Sequence, residues 1–262
     1  MRRDITLDEL RNIQLDILDK IDEYCRKNNL RYSLGGGTLL GAVRHKGYIP
    51  WDDDIDVMLP RPDYEKLISG FNGLYENYKL EGYKNRDNYF LLFSKVYDNR
   101  TTLIDSTHKG GIYVDVFPID GLPEFSQVPA YIDEMHAIQK QLRRTSKFYE
   151  WSGNKAWEFV KYVIKRMITP SRKVIIKQLD DFFNRYDFES SDYAGSIVGV
   201  YAEKEAMKAD VFQHYIELPF EGRTYSGIAD YDAYLTKHYG DYMKLPPKDQ
   251  QVSNHNFIAY WN

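Results

Sequence analysis

Four aspartates fall within five positions, Asp52, Asp53, Asp54 and Asp56, at the end of a stretch that opens with Gly35, Gly36, Gly37 and Thr38 and passes through Arg44, His45 and Lys46. Residues two apart on a strand point to the same face, so Asp54 and Asp56 are expected side by side, with Ile55 and Val57 turned into a core. Two carboxylates so placed repel unless a cation sits between them. Hard divalent cations such as Mg2+ or Mn2+ choose oxygen ligands and keep positions open for substrate phosphates. Gly36 and Gly37 let backbone N–H groups face an anion, and Thr38 is expected to cap a short helix whose N-terminal dipole adds to the attraction. Arg44 can fork onto phosphate oxygens, Lys46 can act as a point charge, and His45 lies between them. Any one of these features alone fits a solvated loop. Together they gather the parts of a metal-dependent phosphoryl-transfer site.

Such a site takes a further carboxylate from another strand. Val114-Asp115-Val116-Phe117 sets one acid among apolar strand residues, where an unpartnered charge is costly, so Asp115 is the candidate third metal ligand. Asp120, at the end of the same run, is expected to be a turn residue. Lys95 is out of pattern inside the apolar run Phe90 to Tyr97. It can meet a phosphate, neutralise the acids, or guard a sheet edge. His255 is read as a surface histidine.

The elements that must position these groups can be read from periodicity. Thr6 and Glu9 have capping-box spacing ahead of a helix that carries Leu10, Ile13, Ile17, Leu18, Ile21, Tyr24 and Cys25 on one face and ends near Asn28 and Asn29. Strands are expected at Arg31 to Leu34 and Ile55 to Leu59, then a helix from Pro62. Further strands are expected at Tyr78 to Lys84, Tyr89 to Tyr97, Thr101 to Asp105 and Ile112 to Ile119, with Asp98-Asn99-Arg100 as a tight turn. From about 130 to 186 the chain reads as helical, and between 138 and 177 eleven basic residues face only Glu150 and Glu158, interleaved with Trp151, Trp157, Phe159 and aliphatic residues. A strand pair is expected around Glu217 to Ile228, and a helix from Asp230 to Tyr239. The fold class is α+β: a mixed sheet flanked by helices, with a helical subdomain. Residues 1–128 are expected to form the catalytic core, 129–190 a basic helical subdomain, and 191–262 a segment packing back on the core.

Composition narrows the partners. At a net charge of −4 over 262 residues, the chain is not built for wholesale nucleic-acid binding. The single cysteine, Cys25, cannot make an intramolecular disulfide and falls on the buried helix face. There is no apolar run long enough to span a membrane and no signal-like N-terminus, so a cytoplasmic protein is expected. The basic aromatic helices of 138–177 can serve as a substrate cleft or as a peripheral contact with the inner face of the cell membrane.

The run Gly37-Thr38-Leu39-Leu40-Gly41-Ala42-Val43-Arg44-His45-Lys46-Gly47-Tyr48-Ile49-Pro50-Trp51-Asp52-Asp53-Asp54-Ile55-Asp56 resembles the signature of the LicD family, within the nucleotidyltransferase-fold superfamily. Asp115-Val116-Phe117-Pro118-Ile119-Asp120-Gly121 and Tyr239-Gly240-Asp241-Tyr242-Met243 with Pro246-Pro247 resemble later blocks of that family. The resemblance implies a nucleotidyltransferase-like core and transfer of phosphocholine from CDP-choline to a sugar hydroxyl of teichoic acid, lipopolysaccharide or related glycans, with CMP leaving. Relatives such as fukutin and fukutin-related protein use CDP-ribitol. By the same implication Asp54 and Asp56 hold Mg2+ against the pyrophosphate, and Asp115 completes the metal site and takes the proton of the attacking hydroxyl. Gly36, Gly37 and Thr38 then cradle phosphate, and Arg44, Lys46 and Lys95 offset charge on the leaving CMP. A quaternary ammonium needs an aromatic wall, for which Tyr48, Trp51 and Tyr113 are candidates by nearness. Two other readings of the same parts are a nucleotidyltransferase that releases pyrophosphate and a non-catalytic binding module.

Overall fold

The computed structural model describes residues 3–104, 109–146, 160, 163, 164, 166–252 and 258–262. Helix α1 (Leu7–Lys27) begins where the capping box requires: Thr6 Oγ1 accepts from the Glu9 N–H, and the Glu9 carboxylate reaches back to the Thr6 N–H. Its apolar face, Leu10, Ile13, Ile17, Leu18, Ile21 and Cys25, is buried against the sheet. Asn28 caps its C-terminus and Asn29 turns the chain at φ +53°.

The strands, in chain order, are β1 (Arg3–Asp4), β2 (Ser33–Leu34), β3 (Asp56–Pro60), β4 (Tyr78–Glu81), β5 (Ser94–Ile104), β6 (Lys109–Leu122), β7 (Tyr193–Gly195), β8 (Met207–Lys208), β9 (Tyr215–Phe220), β10 (Arg223–Ile228) and β11 (Ile258–Trp261). Among the described residues nine of them form one mixed sheet with the path β1-β11-β5-β6-β3-β2, β4 lying on β5, β7 on β6 and β8 on β7. β3 and β6 run parallel, and the other pairs are antiparallel. Helix α2 (Gly36–Arg44) follows β2, and α3 (Arg61–Gly70) follows β3. The fold is α+β, as the sequence pattern leads one to expect. β9 and β10 form a separate hairpin turned by Glu221 and Gly222, both at positive φ.

Two hydrophobic clusters hold the molecule together. The larger joins α1, α2, α3 and the sheet to Phe212, Phe220, Tyr225 and Tyr234 of the C-terminal part. The second lies beneath helix α4 (Val128–Ser146) and the helix Arg172–Phe183, and draws in Tyr83, Tyr89, Leu92, Ile197 and Ala206 from either side in sequence. Phe117 touches both. The tryptophans and Phe159 of the basic section lie outside the described residues, as does His255.

Three local expectations are corrected. Asp98-Asn99-Arg100 does not turn a hairpin: β5 runs through it as one strand with a register irregularity between Asp98 and Leu103. The reason is that Asp98, fully buried, collects the N–H, Nε and guanidinium of Arg100 and closes the bulge on itself. Tyr89 to Phe93 precedes that strand and is not part of it. Asp120 is not a turn residue either: it sits inside β6, fully buried, gripped by Arg61 through two hydrogen bonds of 2.6 and 2.9 Å.

Candidate active site

The acids converge because β3 and β6 are neighbours. Asp56 and Asp115 are register partners across that parallel pair, and Lys95 is the partner of Asp115 across β5. Beyond β3, the Gly35 N–H donates to the Asp56 carbonyl at 2.8 Å. One row across the sheet thus reads Lys95, Asp115, Asp56, Gly35. Alternation selects the face: Asp54 and Asp56 are partly buried while Ile55 and Val57 are fully buried, and Asp115 is partly buried between fully buried Val114 and Val116. The strand proper starts at Asp56, so Asp54 belongs to the extended segment leading into it.

The glycine loop is pinned to this row by the main chain. Thr38 is inside α2 rather than at its cap: its Oγ1 accepts the Asp56 N–H at 2.9 Å. The N-cap is Gly35, so the helix begins directly beside the acids. Side chains are excluded there. A Cβ on Gly36, whose φ is +46°, would lie 3.3 Å from Asp56 Oδ2, and one on Gly37 would lie 2.9 Å from Asp52 Oδ2. The open N–H end of a helix and two carboxylates therefore face one another across a gap without side chains.

The electrostatics follow from this crowding. The Asp56 carboxyl is held well above its usual range, first by burial, then by Asp54, Asp115 and Asp52, with the Lys95 ammonium opposing. Asp52, Asp53 and Asp54 each place a carboxylate oxygen within 4.8 Å of the others. An all-oxygen, all-carboxylate set fits a hard divalent cation. Asp52 is in phase with Asp54 and Asp56 at period two, and its carboxylate approaches both Gly37 and Asp54.

The remaining predicted residues divide. Lys95 is in the site, buried in a central strand, ion-paired with Asp115 and 3.4 Å from the centre of the Tyr113 ring. Tyr113 is thereby stacked on a lysine of the protein. Arg44 turns toward the C-terminal segment: its NH1 donates to the Tyr242 carbonyl at 2.6 Å and its Nε to His45 Nε2 at 2.9 Å. Burial and the Arg44 charge hold His45 below the usual imidazole range, consistent with a neutral ring accepting that bond. Lys46 lies past the far end of α2, bonded to the Val43 carbonyl, with its own carbonyl taking the Glu221 N–H. The structure does not bring it to the acids. Tyr48 is a core residue, its hydroxyl donating to Arg11 and Gln14. Trp51 is half-buried, edge-on to His45.

A family model described as LicD/FKTN/FKRP, nucleotidyltransferase domain, matches residues 29–148, the span that carries α2, the aspartates, Lys95 and Asp115. The lipopolysaccharide cholinephosphotransferase LicD of Haemophilus influenzae is 34% identical over 261 residues, covering 98% of each chain. Shorter similarities link the chain to an uncharacterized protein of Rickettsia typhi, 44% identical over 55 residues, 20% of this chain and 18% of that one. A second, of Rickettsia prowazekii, is 54% identical over 41 residues, 16% and 15% of the respective chains.

Proposed function

The chain belongs to the LicD family, and from that premise we propose that it moves phosphocholine, or a similar alcohol phosphate, from a CDP-alcohol such as CDP-choline to a hydroxyl of a cell-surface glycan precursor, releasing CMP. The observation that carries this proposal is the row Lys95, Asp115, Asp56, Gly35, which sets carboxylates opposite a helix N-terminus stripped of side chains. The named Haemophilus relative favours a lipopolysaccharide precursor as acceptor over teichoic acid or capsule.

Each residue then has a role. Asp54 and Asp56, with Asp115, would hold Mg2+ or Mn2+, which supplies charge neutralisation at the donor pyrophosphate. The N–H groups at Gly36, Gly37 and Thr38 receive phosphate oxygens. Asp115 takes the proton of the acceptor hydroxyl as that oxygen attacks the phosphorus distal to cytidine. The bond from that phosphorus to the bridging oxygen breaks, and the electron pair leaves with CMP. Lys95 holds the Asp115 carboxylate in place and offsets negative charge as it builds. Arg44 secures the wall of the site rather than the phosphate. We propose that the reaction takes place on the cytoplasmic side; no helix of the described residues is long and apolar enough to cross a membrane. The exposed Ile164, Met167 and Ile168, beside the exposed Arg166, support peripheral contact with an anionic membrane surface.

The experiment is the purified protein with Mg2+ and a panel of CDP-alcohols, scored for CMP with and without acceptor glycan. CMP from CDP-choline, abolished by Asp54→Ala, is expected. Pyrophosphate released from a nucleoside triphosphate would assign the site to nucleotidyl transfer, and undiminished activity of Asp54→Ala would remove the acids from the chemistry.

A further inference from the structure

The helix Tyr231–Tyr239 ends at the mouth of the carboxylate row. A Cβ on Gly36 would lie 3.3 Å from Asp56 Oδ2 and 4.0 Å from Tyr239 Oη, so phenol and carboxylate border the same notch. Burial first, then the negative charges of Asp56, Glu205 and Asp52, holds the Tyr239 phenol above its usual range. Among the described residues that hydroxyl makes no hydrogen bond, and the side chain remains 44% exposed.

Its position is built. One turn earlier Tyr234 and Leu235 are fully buried, and the Tyr234 hydroxyl donates to Glu205 at 3.2 Å. Directly after Tyr239, Gly240 turns the chain at φ +66°, its N–H bonded to the Thr236 carbonyl. Arg44 then clamps the Tyr242 carbonyl, and the Tyr242 hydroxyl bonds Asp232 at 2.8 Å. The last residue of this helix is therefore fixed against α2, whose N-terminus lines the notch.

Among the described residues that a Cβ on Gly36 or Gly37 would approach, Asp52 and Asp56 are acceptors and offer a phosphate oxygen no donor, whereas the Tyr239 O–H is a donor. We propose that Tyr239 contacts substrate, its hydroxyl donating a hydrogen bond to a phosphate oxygen of the nucleotide donor seated against Gly36 and Gly37. The assignment rests on the phosphotransferase function proposed above and extends the site to an element far along the chain. A hydrogen bond to a charged group corresponds to a factor of about 10 to 100 in binding or rate.

Tyr239→Phe deletes that one group and keeps the ring; Tyr239→Leu removes both. With Mg2+ and CDP-choline, Tyr239→Phe is expected to lower kcat/KM about 10- to 100-fold without shifting the melting temperature of the free protein. It is also expected to lose most of the thermal shift that CMP with Mg2+ gives the wild type. Wild-type kinetics and wild-type CMP protection in Tyr239→Phe, with or without a defect in Tyr239→Leu, would leave the hydroxyl no role and overturn the proposal. If the wild type releases no CMP from CDP-choline, the proposed reaction falls. The CMP thermal shift then still decides the question of Tyr239, because it reads phosphate binding without turnover.

Discussion

Asp56→Asn is the perturbation that best separates a metal site from a merely acidic one. Adjacent strands lie about 4.8 Å apart, and two unit charges about 5 Å apart repel by about 3 kcal/mol at an effective dielectric constant of about 20. Asp115 stands at that spacing, Asp54 and Asp52 add repulsion, and Lys95 subtracts. A net gain of about 1–3 kcal/mol is expected on removing the charge from metal-free protein, a rise of roughly 2–10 °C in Tm. The sign with pH is fixed by the direction of the shift. Asp56 has a raised folded proton affinity, so its penalty is absent below the unfolded carboxyl value of about 3.9, grows as pH rises toward the folded value, and is constant above it. In EDTA the variant should therefore gain over the wild type only as pH increases. With Mg2+ at about 100 times its dissociation constant the wild type should gain about 2.7 kcal/mol, and the variant, short of a ligand, less. Melting curves in EDTA and in Mg2+ from pH 4 to 8 test both halves. A variant less stable than wild type in EDTA at pH 7.5, or equal Mg2+ shifts in the two proteins, would refute the placement of a cation at Asp56.

Asp120→Asn leaves the buried Arg61 guanidinium facing a neutral amide and should destabilise the fold by about 3–5 kcal/mol in urea titration. Arg61→Met combined with Asp120→Leu should recover most of that, and an unrecovered double variant would show that the pair does more than satisfy itself. Lys95→Met should lower kcat/KM for CDP-choline by about 100-fold or more and weaken the metal-free fold, since Asp115 loses its ion-pair partner. Retained activity would reduce Lys95 to packing on Tyr113. Vesicles rich in phosphatidylglycerol should sediment the protein at low salt and release it at high salt, and no binding at low salt would remove the membrane contact.

What was legible in the sequence depended on locality. The Thr6–Glu9 box, the buried face that holds Cys25, and the alternation of Asp54, Ile55, Asp56 and Val57 are short-range signals, and each has its counterpart in the structure. An acid amid valines marked Asp115 before its partner strand was known. Local signals misled where a polar residue was satisfied from nearby instead of by solvent. Asp98-Asn99-Arg100 has turn chemistry, but Arg100 folds back onto Asp98 and the strand continues. Asp120 looked like a strand terminus because the Arg61 that neutralises it lies on another element. Arg44 and Lys46 have the chemistry of phosphate ligands, yet α2 carries them away from its N-terminus, where the acids are. The sequence offers Tyr239 only as the first residue of the Tyr239-Gly240-Asp241-Tyr242-Met243 block, with no chemistry attached. Only the packing of its helix on α2 brings it to Asp56.

The same arrangement explains why this site should bind its ligands together rather than singly. The N-terminus of α2 carries partial positive charge and faces Asp52 and Asp56. Without ligands, the helix N-terminus and the Lys95 ammonium both offset the acids. A nucleotide phosphate seeking those N–H groups meets carboxylates first, and its repulsion is relieved when a cation occupies the acids. The cation, for its part, is left with open positions that phosphate oxygens fill. Each ligand thus removes the obstacle to the other, and thermodynamic reciprocity requires the two enhancements to be equal. The crowding that weakens the empty fold at Asp56 is then what couples donor to metal, which is why a row of acids can stand in the middle of a sheet that local stability alone would have filled with valine.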